Sequence, residues 1–522
     1  TYLFKHALIQ DAAYQSLLRS TRQQYHSQIA QILEERFAET KETQPELLAH
    51  HYTEAGLTLQ AIPYWQRAGQ RAIQSSAYVE AINHLTKGLE LLKTLPDTTE
   101  RAQQELLLQT TLGPALMFAK GHSAPEVGKA YTRARELCQQ IGETPQLLPV
   151  LFGLCRFHNN RAELQTVREL TEQFLKLAHR VEPTHLVGAH YTLGGNLYWL
   201  GEIAAAREHL EQGIALYDRQ KHHSLAFVYG TDPGVSCLSY LAWALWNLGY
   251  PDQARERVEE ALALAQELSH PFSQALAGHS ATRIHQLCRE KHTTQEQAET
   301  QIAFSSDRGS PYWVVLGTIY RGWALAAQGQ GEEGIAQMRQ ALAAHQAMGL
   351  GLAMTYYLSL LAEAYGTIGQ TEKGLSVLAE ALALPQKTGE CSWEAELYRL
   401  KGELSLQSHS SPREVKTGQE TRRWGSAHQN VRTSKAGTVG GAHPTAEAEA
   451  EECFLKAIEI SQRQQAKSLE LRAVISLGRL WQQQGKAKEA REMLAKIYGW
   501  FTEGFDTKDL QEAKVLLEEL SH

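Results

Sequence analysis

The sequence has no phosphate loop. The pattern GxxxxGK[ST] occurs nowhere in its 522 residues, so the backbone cradle that a nucleotide-hydrolysing site would need is missing. No serine sits in a nucleophile elbow, and the plentiful Ser, His and Asp residues form no catalytic motif. There is no CxxC pair: six cysteines (Cys138, Cys155, Cys237, Cys288, Cys391 and Cys453) stand singly, as free thiols do in a reducing compartment. Long apolar runs are lacking too. The most hydrophobic window, 312–327, carries Arg321 and is too short to span a bilayer, and no signal peptide opens the chain. Charge of one sign is also missing, with 51 Lys and Arg against 58 Asp and Glu, a net of −7, so there is no electrostatic footprint for nucleic acid or an anionic membrane. Together these absences predict a cytoplasmic chain that is not an enzyme and holds no cofactor of its own.

What the chain does have is repetition. Residues 317–343 and 357–383 carry the same pattern at a displacement of 40: Ala324 falls on Ala364, Gly329 on Gly369, Glu332 on Glu372 and Gly334 on Gly374. Each copy reads as an apolar helix, a glycine turn and an amphipathic second helix. Such a hairpin cannot bury its own apolar faces, so it must stack on a neighbour, and a row of stacked hairpins is a solenoid. The same plan recurs around Gly201, Gly249 and Gly485, with a degenerate copy expected near 274–306 and looser ones over 99–141 and 145–181. Pro63 is expected in the first turn of its helix, and Pro114 to kink or break its own. Small residues such as Gly194, Ala206 and Ala254 let paired helices approach closely. The expected fold is all-α, a right-handed superhelix of about ten helical hairpins.

Two stretches do not repeat. Residues 1–38 read as a short strand over 1–9 followed by two helices, the winged-helix-like tail of another domain, so the chain reads as a fragment cut at its N-terminal side. Residues 407–446 separate the main superhelix, 39–406, from the last repeats and a capping helix, 447–522. Over 408–445 the composition is rich in Ser, Gly and Thr, with six Lys and Arg against two Asp and Glu, and predicts a disordered basic insertion at the turn of one repeat.

The spacing of large and small residues resembles the tetratricopeptide repeat, with longer periods: 40 between Gly329 and Gly369, and 48 between Gly201 and Gly249. The strings FKHALIQDAAYQSLL and RQQYHSQIAQILEERF, with LAFVYGTDPGVSCLSYLAWALWNLGYPDQA, RGWALAAQGQGEEGIAQ, EAELYRLKGEL and IYGWFTEGFDTKDLQEAKVLLEEL, resemble the C-terminal region of bacterial multidomain signalling proteins. In that family a class III adenylate or guanylate cyclase precedes an AAA/STAND-type ATPase and a tetratricopeptide tail. The resemblance implies a protein-interaction and sensing region that regulates the ATPase and the cyclase. ATP and a divalent metal would then belong to domains upstream of Thr1. The insertion at 408–445 departs from the family's short loop. Alternatives are the effector-binding region of a STAND-type transcription regulator, or of a kinase-linked signalling protein. A capping helix with no basic recognition helix counts against the first of these.

Implied partners are a protein, a peptide or the upstream domains. The residue six before each turn glycine is Gly195, Trp243, Trp323, Glu363 and Arg479 in the five clearest repeats, a first-helix position that tends to face the concave groove. Trp243 and Trp323, with Tyr191 and Tyr320 nearby, are therefore candidate groove anchors for a partner, the other reading being that they pack between repeats. His285, Cys288 and His292 share a helix face but lack further converging ligands, so ordinary packing is the preferred reading and no metal site is assigned. Asp232 and Pro233 in YGTDPG suit a helix start.

Overall fold

The computed structural model describes residues 7–142, 144–410 and 445–522. Helices α1 (Ala7–Ser16) and α2 (Arg19–Arg36) lead through the short α3 (Ala38–Thr43) to α4 (Pro45–Glu54). Hairpins follow: α5 (Thr58–Gln74) with α6 (Tyr78–Leu92), α7 (Thr99–Lys120) with α8 (Pro125–Ile141), α9 (Leu147–Asn160) with α10 (Leu164–Val181), and α11 (Leu186–Trp199) with α12 (Ile203–Leu216). Two short helices, α13 (Arg219–His222) and α14 (Leu225–Tyr229), intervene. The row resumes with α15 (Pro233–Leu248) and α16 (Pro251–Leu268), α17 (Pro271–Leu287) and α18 (Lys291–Asp307), α19 (Pro311–Ala327) and α20 (Gly331–Ala347). It ends with α21 (Met354–Thr367) and α22 (Thr371–Thr388), α23 (Glu394–Ser410) and α24 (Ala446–Gln464), α25 (Lys467–Gln483) and α26 (Ala487–Tyr498), and a closing helix, α27 (Lys508–Glu519). That makes ten hairpins among the described residues, an all-α tetratricopeptide-like solenoid.

Local chemistry sets these boundaries. At the α19–α20 turn Gly329 takes φ +93°, and Gln330 N–H reaches back to the Leu325 carbonyl (2.9 Å), the bond pattern that closes a helix C-terminus over a left-handed residue. Asp232 caps α15 by accepting from Val235 N–H (2.9 Å), with Pro233 at the first helical position. Three turns within hairpins do without glycine: Ser76, and in the less regular hairpins Ala162 and Arg289, take positive φ themselves. This is why the α9–α10 and α17–α18 hairpins look degenerate in sequence. Pro63 lies well inside α5, because that helix starts at Thr58, and α7 runs unbroken through Pro114. Residues 7–9 belong to α1, not to a strand, and among the described residues the N-terminal piece is helical throughout. Helix α23 continues to Ser410 and α24 starts at Ala446, so the hairpin they form is intact; the rest of the expected insertion, 411–444, lies outside the described residues.

Second helices bury one stripe. In α16 the buried positions are Pro251, Ala254, Val258, Ala261, Ala265 and Leu268, at spacings of three and four. First helices are different: every residue of α11 and of α15 is buried. The cause is long-range. Gly351 N–H donates to the Asn160 carbonyl at the end of α9 (2.8 Å), Cys391 N–H to Trp199 at the end of α11 (2.9 Å), and Ser468 Oγ to Trp246 near the end of α15 (2.5 Å). These contacts join the third hairpin to the eighth, the fourth to the ninth and the fifth to the tenth. The superhelix thus closes on itself every five hairpins, and first helices that would line an open groove are packed on all sides.

The last segment seals this seam. Glu503 accepts from the N–H groups of Asp252 and Gln253 (3.0 Å each) and from the Gln253 side chain (2.8 Å), so it caps the α16 N-terminus from 250 residues away. Arg255 pairs with Asp506 at 3.0 Å beside it. Glu503→Ala leaves two helix N–H groups without that carboxylate, and we expect a loss of about 1–2 kcal/mol. The loss should appear in hydrogen exchange as faster opening of 499–520; unchanged exchange there would show that the cap does not hold the end of the chain.

Candidate functional site

The interior of the superhelix is where the chemically distinctive side chains meet. First helices project aromatic residues towards it, and the five-hairpin closure brings those of different turns together. Tyr191, Trp243, Tyr320 and Trp323 are 1, 3, 0 and 4% exposed. The expectation that they offer open rings to a partner is therefore corrected: they face inward from first helices, but the next turn of the superhelix covers them. Tyr191 meets Tyr240 (centroids 5.6 Å apart), which lies 4.4 Å from Trp243. Trp243 connects to Tyr320 through His279, at 5.9 and 5.4 Å. Trp323 stands apart from these three. Its Nε1 donates to the Glu363 carboxylate (2.8 Å), so two of the residues aligned six before their turn glycines touch each other across adjacent hairpins.

The interior divides into two compartments. The first is aromatic and holds two buried arginines. Arg283, 1% exposed, lies over the rings of Tyr356 (4.3 Å) and Trp243 (4.5 Å) and donates to Tyr198 Oη (3.0 Å). Arg156 donates to Tyr191 Oη (2.7 Å). Cation–π contacts of this desolvated kind contribute about 2 kcal/mol each, which offsets part of the cost of burying the charge. The second compartment, about 160 Å³, is ionic. Arg399 forks onto Glu396 (2.7 and 2.8 Å) and pairs with Glu403 (2.6 Å). Arg472 bridges Asp509 (2.7 Å) and Glu396 (3.5 Å), and Arg289 reaches Asp509 and Glu512. Burial alone would raise the Glu396 carboxyl, but Arg399 and Arg472 outweigh it and hold it at about 2.

Sequence reasoning missed both compartments. The signal was a lone arginine on an otherwise uncharged helix, Arg283 in PFSQALAGHSATRIHQL of α17. His285, Cys288 and His292 do not converge: His285 Nδ1 faces Glu290 (2.5 Å), Cys288 is buried and His292 is exposed. No group of three or more metal-ligating side chains occurs among the described residues. The string GQGEEG at 329–334 fits GxGxxG, yet it joins helix α19 to helix α20, so the strand that precedes a dinucleotide loop is not there. Among the described residues no helix is long and apolar enough to cross a membrane.

Burial also sets the pH response. It lowers His279 to about 3, with the Arg283 charge adding, and lowers His190, His270 and His345 to about 4. Above the unfolded value of about 6.5 these imidazoles are neutral in both states. Below it the unfolded chain takes up protons that the native interior refuses, so stability falls as pH drops from about 6.5 towards 4. Glu390, raised by burial to about 7, works the other way between the unfolded carboxyl value and 7. Burial also raises Asp232, Glu363 and Glu394, which act in the same direction as Glu390 above the unfolded carboxyl value. Lowered histidines outnumber them, with His26, His51, His84, His122, His185 and His209 shifted in the same direction as the first four. The melting midpoint is expected to fall steadily from pH 7 to 4.5. A flat or rising midpoint would mean that these imidazoles are solvated.

A third feature is open to solvent. Between α6 and α8, with α7 as floor, lies a recess of about 500 Å³. Leu89, Leu112 and Leu116 form its apolar base. Arg101 and Arg133 pair with Glu105 and Lys120 with Glu126, which leaves Lys93 and Lys129, with Glu90, outside any ion pair among the described residues.

Two family models match parts of this architecture. The tetratricopeptide repeat family matches residues 235–271, the α15–α16 hairpin, and a second tetratricopeptide repeat family matches 471–496, within α25 and α26. An uncharacterized protein of Rhizobium meliloti (strain 1021) is 24% identical over 416 residues, which cover 77% of this chain and 39% of that protein. The chain thus spans about two fifths of that relative's length. Among solved structures, a Rap protein complexed with competence and sporulation factor aligns at TM-score 0.45 and 10% identity, over 66% of this chain and 99% of that one. Yeast Tom70 aligns at 0.33 and 11%, over 95 and 96%. A signal transduction ATPase with numerous domains and a tetratricopeptide repeat sensor, from Pyrococcus horikoshii, aligns at 0.32 and 12%, over 91 and 74%. The chain is a tetratricopeptide-like helical solenoid in which two hairpins carry a recognised tetratricopeptide repeat signature.

Proposed function

We propose that this chain is the protein-interaction and sensing region of a cytoplasmic multidomain signalling protein, and that it regulates an ATPase and a nucleotide cyclase carried on the same polypeptide. The observation that carries the interaction reading is the recess on α6, α7 and α8: its apolar base and the two lysines on its rim, Lys93 and Lys129, suit an amphipathic segment with acidic residues, whereas the inward-facing aromatic rings are covered by the next turn of the superhelix. The link to an ATPase and a cyclase rests on the sequence resemblance alone. ATP and a divalent metal would be held by those other domains, and no step of their chemistry involves residues of this chain.

The test uses the polypeptide with its upstream domains. Lys129 and Lys93 lie on the recess rim, so Lys93→Glu with Lys129→Glu should leave the melting curve of the repeat region unchanged while altering stimulated ATP hydrolysis and cyclic nucleotide formation. Equal output from the variant and the parent at every stimulus would remove the recess from the mechanism. Failure of the parent to form cyclic nucleotide would remove the cyclase.

A further inference from the structure

The aromatic compartment contains more positive charge than its walls neutralise. Arg156 on α9 and Arg283 on α17 line one cavity of about 40 Å³. Neither forms an ion pair among the described residues; each gives one N–H to a tyrosine hydroxyl, and the Nε of each is buried without a partner. The same cavity is lined by Trp243, Trp313, His279 and His345, whose Nε1 atoms (tryptophans) and Nδ1 atoms (histidines) are likewise buried and unpartnered. An indole nitrogen can only donate, and a guanidinium cannot give up its proton at any working pH. One carboxylate is near: Glu390, whose charged form Arg283 favours. It accepts from the N–H groups of Ala353 (2.9 Å) and Thr355 (3.1 Å) and gives neither arginine a hydrogen bond.

Unmet buried donors and unpaired buried cations both destabilise a fold unless something answers them. What the compartment lacks is an acceptor with negative charge. Water would answer the donors, but with Glu390 as the one nearby carboxylate the second guanidinium charge would be left over. Room decides the size of the ligand: one water needs about 10–15 Å³ by this measure of space, so the cavity fits a halide-sized ion and is far too small for a nucleotide or a peptide.

We propose that this cavity is a binding site for one compact inorganic monoanion of chloride size, held by the guanidinium groups of Arg156 and Arg283 and the indole N–H groups of Trp243 and Trp313. The four residues come from the third, sixth, fifth and seventh hairpins. An ion there ties together elements that are distant in sequence, and it stabilises the closed superhelix by mass action.

The experiment is thermal melting of the 522-residue chain at fixed ionic strength, with sodium gluconate replaced stepwise by sodium bromide. The expected result is a saturable rise of about 2–4 °C. Crystals grown in bromide should show an anomalous peak inside the cavity. Trp313→Phe keeps the ring and deletes one N–H, and should raise the apparent dissociation constant for bromide several-fold. Arg283→Met should abolish the saturable response; if that variant fails to fold, the Trp313→Phe titration and the anomalous map still decide. No bromide-dependent rise, an unchanged titration in Trp313→Phe, or a map with no halide at the arginines would each overturn the proposal and leave water as the filling.

Discussion

Trp243→Ala should lower the stability of the solenoid by about 3–5 kcal/mol, the range for a fully buried tryptophan. The ring has no exposed face to lose. Tyr240 (4.4 Å), Tyr198 (6.0 Å) and Trp199 (6.2 Å) surround it, and Arg283 lies 4.5 Å from its centroid. Truncation therefore leaves a cavity and also takes one of the ring faces that solvate a buried guanidinium. Trp243→Phe retains a face for Arg283 and should cost distinctly less. Denaturant unfolding followed by circular dichroism reads both variants. A loss under about 1 kcal/mol for Trp243→Ala would mean that the residue is exposed in solution, which would restore the open-groove reading.

Much of the architecture was written locally, and that part was legible. Gly329 and Gly369 mark turns because each takes the left-handed conformation that glycine permits, and the alternation of an apolar first helix with a one-sided second helix follows from layer position. The degenerate hairpins were harder because Ala162 and Arg289 fill turn positions that glycine fills elsewhere. Arg289 bears the strain of a positive φ, and its side chain pairs with Asp509 and Glu512 at the far end of the chain. No local pattern could reveal the five-hairpin closure. It is made by backbone groups, such as Asn160 carbonyl to Gly351 N–H, whose partners leave no trace in residue type. The assignment of Trp243 and Trp323 as open groove anchors failed for this reason: their inward direction follows from the repeat, but their burial follows from closure.

Repeat position alone predicts equal consequences for Gly334 and Gly374, and the packing predicts otherwise. A Cβ added at Gly334 would lie 2.3 Å from the Gly322 carbonyl oxygen and 2.8 Å from Ala326 N. Both are backbone atoms of α19, so relief requires α19 and α20 to separate. A Cβ at Gly374 would lie 2.6 Å from Leu404 Cδ1, the end of a side chain that can turn aside, and 3.2 Å from the Ala362 carbonyl. Gly334→Ala is therefore expected to cost about 3 kcal/mol or more, and Gly374→Ala about 1 kcal/mol. In an open solenoid the damage from Gly334→Ala would stay with the neighbouring hairpins α17–α18 and α21–α22. In this closed one it should travel further. Tyr312, in the first turn of α19, packs on His122 (5.5 Å), which follows α7 nearly two hundred residues earlier in the chain. Hydrogen exchange should accordingly quicken at the C-terminal end of α7 as well as in the flanking hairpins. Equal costs for the two alanines would show that the helices adjust freely at this contact, and exchange confined to α17–α22 would show that the superhelix is open in solution.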